Sequence, residues 1–292
     1  MRKTGCCVVA ILVLLGCSSQ NASVEISANA QENLKLLPAE SNLVLFCDFN
    51  KINRTPFAKE ILQELNEQIR MHSNDDFAAF KEATGLDPER DFHTLLVGSV
   101  LSERRDEQKA FAIIKGEFDE QRIVSYIREK ANEKSHDIPW SEKTIAGKTV
   151  YFSPESRSDT GISFADTNAL YLGPVVWMES VLSGEVRESL QDRPDYLHSL
   201  VENVKYGDQL WMALDAKSLT DNSGSFASNL RRNMPAFERV QSVVFSAKAN
   251  SELDFNGMLF CDTQESGEVM VDLMDGALAA AQTAGKNPRE LA

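Results

Sequence analysis

The order of apolar runs, turn residues and helix caps predicts an α+β fold made of two successive units of the same element order. Three observations carry that expectation. Short apolar runs at Leu43–Phe49, Leu95–Leu101 and Ala110–Gly116 have strand length and are separated by helical stripes or polar turns. A second run ending in aspartate, Leu210–Asp215, reopens the order much as Leu43–Asp48 opens it. Two further runs, Val240–Ala249 and Leu253–Cys261, flank the tight polar turn Asn250-Ser251-Glu252 and read as a hairpin.

Each element has a local cause. After the first strand, Thr55-Pro56 supplies a capping hydroxyl and a proline at the first helical position, and Phe57, Ile61, Leu62, Leu65 and Ile69 form an apolar stripe. A shorter helix around Phe77–Ala83 stops at Gly85, and Leu86-Asp87-Pro88 turns the chain. The strands Leu95–Leu101 and Ala110–Gly116 bracket the charged loop Glu103–Lys109. Asp119 caps the next helix, with Phe118 spaced to pack on Ile123. Gly147 precedes the strand Lys148–Ser153. The order is then β-α-β-β-α-β, the ferredoxin-like arrangement, with antiparallel sheets. A hairpin (Ile162–Ala165 with Ala169–Leu172) and a helix (Pro174–Ser183, closed by Gly184) separate the copies. The second copy continues with a helix at Phe226–Met234, the hairpin already noted, and a helix at Glu265–Ala284 with Val269, Leu273, Ala277 and Ala280 on one face. After it, Gly285 and Pro288 leave no apolar run for a closing strand. The second copy is thus expected to lack that strand and to have an unfilled position or exposed edge, with three explanations open: the hairpin Ile162–Leu172 covers the edge, a partner strand fills it, or the copy is incomplete or truncated. The last is favoured, with a disordered tail at 286–292.

The N-terminus has a different character. Arg2 and Lys3 precede the apolar stretch Cys6–Leu15, which is too short for a comfortable membrane span and reads as a secretory signal peptide. Leu14-Leu15-Gly16-Cys17 ends it. That ending resembles the lipobox of bacterial lipoproteins. The resemblance implies cleavage before Cys17, a diacylglycerol on its thiol and usually an acyl group on the new amine. It also implies a membrane partner reached through acyl chains. Ser18 is not the aspartate that favours inner-membrane retention, so the outer membrane is favoured. Two or more chains hold a protein durably where one does not. Residues 17–37 are mostly polar and read as a tether; a coil of that length reaches on the order of 20–25 Å. The expected organisation is a signal peptide at 1–16, the tether at 17–37, the first repeat with its hairpin and helix at 38–190, and the second repeat at 191–292. In element order, and in Leu37-Pro38, Thr84-Gly85-Leu86-Asp87 and Lys115-Gly116-Glu117-Phe118, the body resembles bacterial envelope proteins grouped only as a domain of unknown function. That resemblance implies no activity.

Composition narrows the partners. The chain has 30 Lys and Arg against 44 Asp and Glu, a net charge of −14. Losing Arg2 and Lys3 with the leader makes it more negative. A nucleic-acid partner needs a basic stripe, and none is present. Anionic headgroups would repel the body, so the acyl anchor has to hold it at the membrane. Of the 5 cysteines, Cys47 and Cys261 are left unmodified in the processed chain. Both buried thiols and a disulfide between them fit the sequence, and a disulfide scaffold does not.

The motifs that could carry chemistry are incomplete. Gly147-Lys148-Thr149 ends like a phosphate loop, but the required earlier glycine is Glu142 and a strand follows instead of a helix. Gly161-Ile162-Ser163-Phe164-Ala165 approaches a nucleophile elbow, but Ser163 falls inside a strand. His72, His93, His136 and His198 share no metal spacing, and Asp75-Asp76 lacks the calcium-loop pattern. Trp177 and Trp211 fall in apolar segments, whereas Trp140 follows Pro139 in a polar loop and is the better candidate for an exposed contact. No residue is nominated as catalytic, and none as a cofactor or metal ligand; Cys17 is the one site residue. The expectation is a membrane-tethered envelope lipoprotein that acts by binding or scaffolding, with an envelope protein as its partner. The alternative is a hydrolase whose catalytic groups are dispersed through the fold and leave no local signature.

Overall fold

Strand β1 (Leu43–Asp48) carries apolar side chains on both of its faces, which suits a strand covered from both sides. The computed structural model describes residues 33–55, 76–102, 107–133, 141–153, 159–185, 190, 209–220, 238–249 and 253–284. In it, β1 is followed by the short helices α1 (Phe49–Ile52), α2 (Asp76–Thr84) and α3 (Pro88–Asp91). Strands β2 (Phe92–Val100) and β3 (Lys109–Gly116) precede helix α4 (Glu120–Glu133). Next come β4 (Ser141–Ile145), β5 (Lys148–Phe152), β6 (Thr160–Asp166), β7 (Ala169–Pro174) and α5 (Val175–Ser183). The described chain ends with β8 (Leu210–Asp215), α6 (Ala216–Thr220), β9 (Val240–Ala249), β10 (Leu253–Cys261) and α7 (Gln264–Ala284). The strands form one 10-stranded sheet in the order β10-β9-β8-β1-β2-β3-β7-β6-β5-β4. Every neighbouring pair is antiparallel.

The α+β class and the antiparallel pairing match the sequence. Both expected hairpins form, β2 with β3 and β9 with β10. Glycines with φ of 71° close α2 at Gly85 and α5 at Gly184, where a left-handed residue is needed. The expected helix at Phe226–Met234 and the whole stripe Phe57–Ile69 lie outside the described residues.

The ferredoxin-like pairing is not the one formed. A split β-α-β arrangement would set the third strand between the first and the second, antiparallel to both. Instead β1 lies between β2 and β8, antiparallel to both, and the two expected sheets are one. The strand expected to close the first repeat, Lys148–Ser153, forms as β5 but lies one strand in from the far edge. Local turns decide this. Ala146 and Gly147 have φ of 49° and 79°, the signs of a type I′ turn, so β5 folds back on β4. The run Ser141-Glu-Lys-Thr-Ile145 is mostly polar and exposed, so no apolar signal marks β4. The β6–β7 hairpin then returns the chain to the open edge of β3. Short closures of this kind lose less chain entropy than a long crossover.

Among the described elements, the two three-strand meanders share several local features. The meanders β1-β2-β3 and β8-β9-β10 meet through β1 and β8, with Leu43 opposite Leu214 and Cys47 opposite Leu210. One irregularity separates Phe92 from Thr94 at the Gly116 end of β3; another occurs at the corresponding place, where Cys261 pairs with Val240. Just beyond, the Glu117 amide donates to the Asp91 carbonyl at 2.9 Å and the Asp262 amide to the Arg239 carbonyl at 3.0 Å. Asp48 and Asp215 end their strands identically, each accepting the amide three residues on, from Lys51 at 3.0 Å and from Ser218 at 3.1 Å.

Alternate residues feed two cores. On one face Val44, Leu96, Phe111, Ile113, Val150 and Tyr171 pack with Trp177 and Met178 of α5 and with Trp211 and Ala213 of β8. On the other, Ile123 and Val124 of α4 cover Phe164 and Leu170, while Met270 of α7 packs with Val240 and Val243.

Candidate functional site

Cys17, the lipidation residue read from the sequence, lies outside the described residues. So do most of the tether, Asp75, Trp140, His72, His136, His198 and the tail 286–292. The remaining candidates can be placed. Gly147 occupies the β4–β5 turn, with Lys148 opening β5, so no helix follows to receive phosphate. Ser163 is fully buried within β6, and its hydroxyl donates to the Thr149 carbonyl at 2.9 Å. A serine held mid-strand in this way has no exposed Oγ and no elbow. His93 is half-buried on β2. Among the described residues no three His, Cys, Asp or Glu side chains converge as metal ligands. Trp177 and Trp211 are both buried; the Trp177 indole donates to Glu40 at 2.8 Å, and Trp211 stacks on Phe46 with ring centroids 5.4 Å apart.

The thiols are free and far apart. Cys47 is buried, and burial, then the neighbouring Asp48 carboxylate, push its thiol up to about 12. Burial, then Asp262, also raises the Cys261 thiol. β8 and β9 separate the two strands. Three strand spacings amount to roughly 14 Å, twice the Cα separation a disulfide tolerates. Of the two pairings the sequence left open, the fold selects separate thiols.

A polar cluster joins α4 to the far edge of the sheet. The Tyr151 hydroxyl donates to Glu120 at 2.9 Å, and the Arg128 guanidinium lies 5.8 Å from the Tyr151 ring centroid while pairing with Glu142. Burial, then the Glu120 hydrogen bond, raise the Tyr151 phenol, which stays a neutral donor at physiological pH. This cluster fastens a helix to a hairpin. It presents no nucleophile beside a base.

The two edges of the sheet differ in kind. β4 is charged: Glu142 pairs with Arg128, and Lys143 with Glu179. Such an edge discourages further strands. β10 reads Leu-Asp-Phe-Asn-Gly-Met-Leu-Phe-Cys, with Asp254 its one charge, and among the described residues it pairs with β9 alone. Beside it, α7 buries Ser266 and Met270 and leaves Val269 and Leu273 46% and 48% exposed. The sequence grouped Val269 and Leu273 on an apolar face; periodicity alone did not show that the sheet takes the neighbouring positions.

No family profile matches the chain, and no curated protein matches it. Among solved structures, crystal form I of TP0453 aligns at a TM-score of 0.46 and 12% identity, over 89% of this chain and 88% of that one. Crystal form IV of TP0453 aligns at 0.41 and 12% identity, over 76% and 77%. Neither likeness is close enough to carry a functional argument.

Proposed function

We propose that the protein is a lipoprotein of the cell envelope, attached through acyl chains at Cys17, whose acidic body acts by binding or scaffolding. The ending Leu14-Leu15-Gly16-Cys17 carries this reading. It follows a basic start and a short apolar core and precedes a polar tether. Ser18 favours the outer membrane by the same resemblance. The body is read as a duplicated β-α-β-β-α unit, on the strength of the paired irregularities, amide bonds and aspartate caps shared by its halves. A binding role is favoured over the dispersed hydrolase by the settings of Ser163 and Tyr151, both tied into the scaffold.

Metabolic labelling with a fatty acid tests the anchor. The wild type should incorporate label and appear as a shortened mature form, and Cys17→Ser should do neither. Equal labelling of the two would overturn the lipoprotein reading. Affinity capture of the acylated chain from envelopes then tests binding, with recovery of a stoichiometric partner as the expected result.

A further inference from the structure

We infer that the outer edge of β10 is a strand-addition site for an extended, basic segment of a partner protein. The inference rests on the binding reading above and gives it a location.

The first half of the fold supplies the template. β3 corresponds to β10, and its outer edge is occupied: β7 pairs with it antiparallel, Ala112 opposite Leu172 and Lys115 opposite Ala169. The Gly116 amide, at the position that Cys261 holds in the second half, donates to the Asn168 carbonyl at 3.0 Å. Orientation follows from one bond. Because the Asp262 amide donates inward to Arg239, the alternation of a strand turns the amide and carbonyl groups of Cys261, Leu259, Gly257 and Phe255 outward. These groups face the side on which, in the first half, β7 is added. A strand this long and this sparsely charged pairs readily when its edge is open.

Charge selects the occupant. α7 lies against β10 and bears Glu265, Glu268, Asp272 and Asp275, with no lysine or arginine between Gln264 and Ala284. A second copy of the chain would bring the same carboxylates and a net charge of −14 to the contact. A segment with lysine or arginine around an apolar alternation instead meets a body of opposite net charge, while its backbone completes the ladder.

A fluorescent peptide carrying the β7 sequence Ala169–Pro174, with two lysines at each end, is the probe. Its anisotropy is titrated with the full acylated chain in detergent. Binding is expected, weakening at least about tenfold when glutamates replace the lysines, and by a similar factor when the peptide's edge-facing amides are N-methylated. Gly257→Pro, which removes an outward amide and leaves the β9 ladder intact, should weaken binding comparably. The methylated peptide keeps the test independent of how well that variant folds. Absence of binding to the wild type, or equal binding of the methylated and unmethylated peptides, would overturn the site. So would sedimentation showing a dimer that Gly257→Pro dissociates, since a second copy would then be the occupant. Recovery of the same envelope partner by wild type and Gly257→Pro would overturn the edge and leave the binding role standing.

Discussion

The Asp48 amide donates to the carbonyl of Gln209 at 2.7 Å, and the Asp215 amide donates to the carbonyl of Asn42 at 2.8 Å. Each bond fixes one end of the β1–β8 pair, and each aspartate then caps the helix that follows. The caps lie at opposite ends of the pair and should behave alike. Asp48→Ala and Asp215→Ala are each expected to destabilise the protein by about 1 kcal/mol, and the double variant by about 2 kcal/mol. Urea unfolding of the three variants checks this. Strong non-additivity would mean that the two ends are not independent.

The buried Asp91 carboxylate accepts from Arg90 Nε at 2.6 Å and from the Asp87 amide at 2.7 Å. The Arg90 hydrogen bond holds its pKa below the usual carboxylate range, against the opposing effect of burial. A carboxylate depressed on folding contributes stability that is present above its unfolded pKa of about 3.9 and is lost as pH falls through the lower folded value. Asp91→Asn should therefore lower stability by about 1–2 kcal/mol at neutral pH and flatten the fall in Tm between about pH 5 and pH 2. Melting curves across that range decide it; an acid limb as steep as that of the wild type would remove Asp91 from the account.

Cys47 should be inert in the native protein, because its thiol is buried and pushed up to about 12. Alkylation at pH 8 followed by mass spectrometry is expected to label Cys47 only after denaturation. Electrophoretic mobility should be the same with and without reductant. A Cys47–Cys261 cross-link would contradict the strand order.

Ala146 is a non-glycine residue at φ 49° in a turn whose two central positions both require positive φ. Asparagine tolerates that conformation better than alanine does. Ala146→Asn should stabilise the hairpin by about 0.5–1 kcal/mol, seen as a higher urea midpoint at unchanged slope. A lower midpoint would mean that this turn is held by contacts outside its own backbone.

Trp211 is 1% exposed and stacked on Phe46 across the β1–β8 pair. Trp211→Ala is expected to cost about 3–5 kcal/mol, whereas Trp211→Phe keeps the stacking and should cost much less. Equal losses from the two substitutions would show that the indole's bulk, and not aromatic stacking, is what the core requires.

By itself the sequence determined what is local. The aspartate ends of Leu43–Asp48 and Leu210–Asp215, the glycine stops at Gly85 and Gly184, and the hairpins at β2–β3 and β9–β10 are set by residues within a few positions of one another, so they could be read from spacing. The proposal for Cys17 rests on a contiguous run in the same way. The tertiary structure decided which edges meet. Nothing local to β1 says that its open side takes β8, or that β7 and not β5 completes β3, because those choices depend on faces and turns far apart in the chain. The positive-φ turn at Ala146-Gly147 diverted the expected closing strand into a meander with a strand that was not read. Burial of Met270 beside an exposed Val269 was likewise settled only when α7 met the sheet, since a helical period marks an apolar stripe without saying which part of it is covered.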